Sequence, residues 1–147
     1  MSNNKIEYRI KSIDITEFNL VLREELKAKL YDDPYFNQYS YSVNCGAEAS
    51  LKENIITVEI TLRILLENGK EIEIGKIKIL NNFILENFRK HYNEKKAKTL
   101  GLDPPFLKEL FLVSISHTRA IMLTKCAGTF LYNTILPFID VNKFIEN

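Results

Sequence analysis

Through the first half of the chain apolar and polar residues alternate one by one, the side-chain period of a half-buried strand. Ile6, Tyr8 and Ile10 interleave with Glu7, Arg9 and Lys11; the phase then slips near Ser12, and Ile13 and Ile15 carry the apolar row around Asp14. A β-bulge, one extra residue in the strand, produces such a slip, so a first strand is predicted from Ile6 to Leu22. The charged, aromatic stretch Glu24 to Tyr39, broken by Asp32-Asp33-Pro34, reads as a crossover with a short helix over Arg23 to Leu30. Tyr39, Tyr41, Val43, Cys45, Ala47 and Ala49 then alternate with mostly polar residues, and Ile56, Val58, Ile60, Leu62 and Ile64 with Thr57, Glu59, Thr61 and Arg63. Asn68-Gly69 suits a type I′ hairpin, whose central residues both need positive φ. It makes the strand from Ile55 to Leu66 and the strand from Glu71 to Leu80 antiparallel neighbours. In the latter, Gly75 breaks the phase before Ile77 and Ile79 resume it.

The period changes after Phe83. Leu85, Phe88 and Tyr92 fall at helical spacing before the solvated run Asn93 to Lys98, read as a mobile arm or short helix. Asp103-Pro104-Pro105 is a helix start, with Asp103 as candidate cap and proline in the first turn. The helix expected from about Phe106 to Ala127 is apolar nearly all round, which implies cover on more than one side. One sheet supplies one side. A second subunit is the expected second cover, with Ile115, Arg119 and Ile121 as candidate oligomer-interface residues.

Composition narrows the class. The chain's 147 residues suit a single domain, and 46% hydrophobic with 27% charged residues is the balance of a soluble globular chain. The formal net charge is +1 with the signs interspersed, so no basic surface for nucleic acid is expected. Cys45 and Cys126 stand alone, without Cys or His at metal-ligand spacing, as reduced cytosolic thiols do. Neither a secretory leader nor a run long enough to insert into a bilayer is present in the sequence, so a cytoplasmic protein without direct membrane insertion is expected.

No glycine-rich phosphate loop, CxxC, HExxH or GxSxG occurs, and neither an enzyme nor a cofactor is expected. Ser116-His117-Thr118-Arg119 is the most reactive-looking cluster, but neighbouring residues on a helix point different ways and do not converge on one substrate. A small oligomeric enzyme or ligand-binding domain around His117 stays open as a third alternative. Asp14 and Glu17 are expected on opposite faces of the first strand, unable to share acid-base work. Of the aromatics, 7 Tyr and 9 Phe without Trp, most belong to the core, and those at a groove edge would suit extended apolar peptide.

Ala127-Gly128-Thr129-Phe130 at the end of the apolar helix, followed by Ile135-Leu136-Pro137, resembles the signature of the SecB export chaperones. The resemblance extends to the order of elements across most of the chain. It implies an α+β fold, a four-stranded antiparallel sheet with a long helix packed on one face, as a single domain over residues 1–147. It also implies a homotetramer, a dimer of dimers, that holds unfolded polypeptide clients in apolar grooves and hands them to the SecA-type motor of the export machinery, without a cofactor. Tyr39, Tyr41, Phe83, Phe130, Tyr132 and Phe138 are the candidate client-binding residues. Asp14 matches an acidic position that the family uses to dock the motor, with Glu67 or Glu71 near another; the position matched by Phe18 is not acidic. Typical members are acidic and continue into a second helix and an acidic tail where this sequence ends, which implies a shallower groove and weaker motor docking. The alternative within the family is a chaperone dedicated to one partner, such as the antitoxin of a toxin-antitoxin pair.

Overall fold

The computed structural model describes residues 5–21, 39–67, 71–93, 101–129 and 136–145. Four antiparallel strands form one sheet: β1 (Tyr8–Leu20), β2 (Tyr39–Ser50), β3 (Ile55–Glu67) and β4 (Glu71–Leu85), in the order β1-β4-β3-β2. A single helical turn, α1 (Phe88–His91), precedes the long helix α2 (Pro104–Cys126), and a 3-10 turn at Val141–Phe144 follows. The α+β architecture that the resemblance implies is present. The Asn68-Gly69 turn, the short helix at Arg23 to Leu30 and the charged run from Glu94 to Lys98 lie outside the described residues, as do Phe130 and Tyr132.

Each strand sorts its residues by the pleat. Ile56, Val58, Ile60, Leu62, Ile64 and Leu66 of β3 and Ile77, Ile79, Phe83 and Leu85 of β4 are buried on one face, which α2 covers. The helix meets them with a single stripe, Phe106, Leu107, Leu110, Phe111, Ser114, Ile115, Thr118, Met122 and Cys126, at the three- and four-residue spacing that places side chains on one face. Within the chain one stripe is buried, and the opposite side, where a second cover is expected, carries Leu112, Ser116, Ala120 and Leu123, with both leucines exposed.

Irregularities in the sheet have local causes. β1 is bulged between Ile10 and Ser12, where the sequence slips, and again between Ile15 and Glu17. The two extra residues keep Tyr8, Ile10, Ile13, Ile15, Phe18 and Leu20 in one row. The β3–β4 register shifts where Ile64 faces Gly75 and Leu65 faces Glu73. A Cβ on Gly75 would lie 3.1 Å from Leu20 Cδ2 and 3.2 Å from Ile64 Cδ1, so a side chain there would have to displace both side-chain ends by a few tenths of an ångström. Asp103 occupies the cap position of α2 but makes no side-chain cap bond; its carbonyl accepts from Leu107 N at 3.0 Å. Gly128, at φ +77°, terminates the helix in the left-handed region, and Thr129 Oγ1 closes the end by donating to Cys126 O at 2.7 Å.

Candidate functional site

Beneath α2 a polar pair joins the helix to the sheet. Asn81 is fully buried in β4, and its Nδ2 donates to Val58 O at 3.3 Å. Its Oδ1 therefore faces His117 as an acceptor, 2.7 Å from Nδ1, which assigns the proton to Nδ1. Burial holds the His117 pKa below its ordinary value, so the ring is neutral at pH 7. Ser116 and Thr118, its sequence neighbours, return their hydroxyls to the helix carbonyls of Leu112 and Ser114. The four residues read together in the sequence do not converge: His117 joins helix to sheet, and Arg119 reaches the chain end.

Arg119 spans the space between α2 and the segment after Leu136. Its Nε donates to Leu136 O and its Nη2 to Pro137 O, each at 3.2 Å. Leu136 and Val141 are buried on either side of Phe138, which stands 84% exposed. Tyr39 and Tyr41, by contrast, are half-buried on the helix side of β2, and burial raises both phenol pKa values. Two candidates change role. Phe83 is fully buried, with its ring edge-on to Tyr8 at 5.7 Å between centroids, so it belongs to the core and offers no client surface. Ile115 is likewise buried against the sheet of its own chain and is not open to a second subunit. Ile121 is half-buried, in an open cleft of about 230 Å³ with Ile15, Ala120, Thr124 and Lys125. That cleft lies between α2 and edge strand β1, where Ile10, Ile13 and Ile15 remain 46%, 38% and 40% exposed.

The opposite face of the sheet is polar. The second bulge of β1 brings Asp14 and Glu17 to this same face, opposite Leu80 and Lys78, which corrects their expected placement on opposite faces. They still do not act together. Asp14 accepts from Ser12 at 3.2 Å and from Asn82 Nδ2 at 3.1 Å, while Asn82 Oδ1 accepts from Thr57 at 2.7 Å. Glu17 pairs with Lys76 at 3.3 Å, Glu59 with Lys78 at 3.6 Å and Glu73 with Arg63 at 3.4 Å. Glu71 is exposed at the start of β4, facing Glu67 across the β3–β4 pair. Glu17, Glu59 and Glu73 are thus each paired with a lysine or arginine of β3 or β4, whereas Asp14 is held by hydrogen bonds from Ser12 and Asn82.

Of the two thiols, Cys126 is buried at the end of α2, and burial raises its pKa. Burial likewise pushes Cys45 up to about 12, with Lys143 opposing, so it stays protonated and is a poor nucleophile. Among the described residues no three His, Cys, Asp or Glu side chains are grouped to hold a metal ion. No helix among them is long and apolar enough to cross a membrane.

A sheet in the order β1-β4-β3-β2 with one long helix across its central strands matches a known structure. A SecB-like chaperone of Mycobacterium tuberculosis, solved in complex with a ChAD peptide from the HigA1 antitoxin, is similar over 90% of this chain and 90% of its own, with a TM-score of 0.60. The fold is SecB-like. Sequence identity with that chaperone is 12%, so the likeness resides in the architecture. A protein of unknown function from Streptococcus agalactiae overlaps 92% of this chain at 7% identity, with a TM-score of 0.35 too low to inform the comparison. No protein-family model matches the chain, and no curated protein matches its sequence. On this SecB-like fold most of the exposed large apolar groups among the described residues lie along and just after β1, on the outer side of α2 and at Phe138, while on the polar sheet face Glu17, Glu59 and Glu73 are paired with cations.

Proposed function

We propose that the protein is a SecB-like chaperone that holds an unfolded polypeptide, and that its client is a dedicated partner rather than the general traffic of protein export. The observation that carries the choice is the charge pairing of the polar sheet face. A motor docked through acidic residues needs carboxylates whose field is not cancelled; here Glu17, Glu59 and Glu73 each have a cation within 4 Å. At physiological salt such paired charges attract little beyond about 8 Å. The structural neighbour, seen with a peptide from an antitoxin, supports a polypeptide partner of that kind. Holding such a partner makes and breaks no covalent bond, and the neutral, hydrogen-bonded His117 is consistent with a non-enzymatic role.

Assembly belongs to the same reading. The exposed isoleucines of β1 and the cleft beside Ile121 form the surface expected to meet a second copy in a homotetramer, since uncovered apolar rows on an edge strand favour association. Two binding measurements test the function: titration of a fluorescent, reduced and alkylated α-lactalbumin, and titration of the C-terminal segment of a SecA-type motor. The expected result is binding of the unfolded chain and none of the motor segment at physiological salt. Tight motor binding would return the reading to general export; failure to hold any unfolded chain or to slow its aggregation would end the chaperone assignment.

A further inference from the structure

We infer that Arg119 is a positioning residue, fixing the backbone on which Phe138 is presented to the held polypeptide; this rests on the chaperone role proposed above. The stretch Pro137 to Asp140 spans two buried plugs, Leu136 at 2% and Val141 at 7% exposure. Between them Phe138 is 84% exposed, the most exposed large apolar side chain among the described residues. An aromatic ring left in water contributes almost nothing to the fold of its own chain, whereas transferred to an apolar partner it contributes strongly.

The scaffold under the ring is built from polar contacts. The planar guanidinium of Arg119 donates to two consecutive carbonyls, Leu136 O and Pro137 O, and so fixes both the place and the direction of the chain entering Phe138. Proline at position 137 fixes its own φ at the same point. Beyond the ring, Asp140 Oδ1 accepts from Asn142 N at 3.0 Å and starts the 3-10 turn that buries Val141. A bridge ordered before binding spares the partner the entropy of ordering it, so the contact Phe138 makes is stronger for being pre-placed. Lysine at position 119 would keep the charge but, as a point donor on a flexible stem, would not hold both carbonyls in one plane.

The chain has no tryptophan, so Phe138→Trp creates a single fluorescent reporter at the ring. In the full-length protein without client, Arg119→Gln in this background is expected to lower the tryptophan anisotropy, with Arg119→Lys intermediate and the far-UV circular dichroism unchanged. Equal anisotropy in all three proteins would overturn the positioning role. Titration of labelled, reduced and alkylated α-lactalbumin gives the second readout. Phe138→Ala and Arg119→Gln are each expected to weaken binding roughly three- to tenfold, and the double variant no more than Phe138→Ala alone. A further loss on adding Arg119→Gln to Phe138→Ala would show that Arg119 acts elsewhere and refute the inference. A fall in oligomer mass by light scattering in Phe138→Ala would refute it too, by assigning the ring to a second copy. Absence of binding by the wild type, with the anisotropy change intact, would overturn the chaperone reading and the presenting role while leaving the Arg119 bridge established.

Discussion

Replacing Asn81 by leucine tests whether the polar pair under α2 is a matched unit. Asn81 is fully buried, and its Oδ1 is the acceptor 2.7 Å from His117 Nδ1. The single substitution strips His117 of its partner in a half-buried place, and an orphaned donor there costs about 1–3 kcal/mol. For a chain of this length that corresponds to a fall in Tm of about 2–10 °C. The reciprocal change, His117→Leu, orphans Asn81 Oδ1 and is expected to cost about as much. The double variant Asn81→Leu/His117→Leu removes both polar groups and fills the layer between Ile79, Phe83 and α2 with apolar atoms. It is expected to recover most of the loss, leaving a coupling of roughly 1–2 kcal/mol between the sites. Urea unfolding of the four proteins at one fixed protein concentration measures this, with the concentration held because assembly shifts apparent stability. Additive losses, with the double variant as unstable as the sum of the singles, would show that Asn81 and His117 act independently and refute the reasoning.

The same pair makes stability pH-dependent. Burial lowers the folded-state pKa of His117 from 6.5, so between the two values the unfolded chain binds more protons; stability is complete above about pH 6.5 and declines as pH falls through the folded pKa. Urea midpoints across that range should show the decline in the wild type and a smaller one in His117→Leu. Phe83→Ala should destabilise by about 3–5 kcal/mol, the cost of a large core cavity, and its folded fraction should bind α-lactalbumin with wild-type affinity; loss of binding by fully folded protein would return Phe83 to the client surface. Asp14→Lys should leave binding of the motor segment at its wild-type, negligible level even at low salt, and measurable wild-type binding abolished by this change would contradict the paired-face reading. Ile15→Asp and Ile121→Asp should each lower the light-scattering mass without unfolding the protomer, and unchanged mass in both would place the subunit contact elsewhere.

The strands were legible because each half-buried row keeps its period, and Asn68-Gly69 announced the β3–β4 pair that the register confirms. The end of β4 was not. Asn81-Asn82 resembles a turn, yet one side chain is buried under α2 and the other joins the polar face, so the strand continues to Leu85. That continuation carries Phe83 into the core. The first bulge of β1 left a visible slip near Ser12, but the second, at Thr16, carries no glycine or apolar doublet to mark it, and Asp14 and Glu17 were therefore assigned to different faces. Helical spacing alone could not separate the buried stripe containing Ile115 from the side containing Leu112, because both are apolar. Arg119 shows why side-chain identity falls short at a site of this kind: its acceptors are main-chain carbonyls 17 and 18 residues away, and backbone oxygens leave no mark in a sequence.

The strand order has a consequence for how the chain is born. β2, β3 and β4 are sequential neighbours, but β1 closes on β4, so that Tyr8 must find Leu85. On a ribosome adding about 5–20 residues per second, the first strand waits roughly 4–15 s for its partner, with Ile10, Ile13 and Ile15 unpaired throughout. Closing so distant a pair is slow relative to hairpin formation, because chain entropy is lost before the contact is made. The β2–β3–β4 meander is the natural first product of translation, and β1 docks onto a surface already assembled. A chain proposed to shelter other polypeptides thus passes through an interval in which its own first strand is the one without shelter.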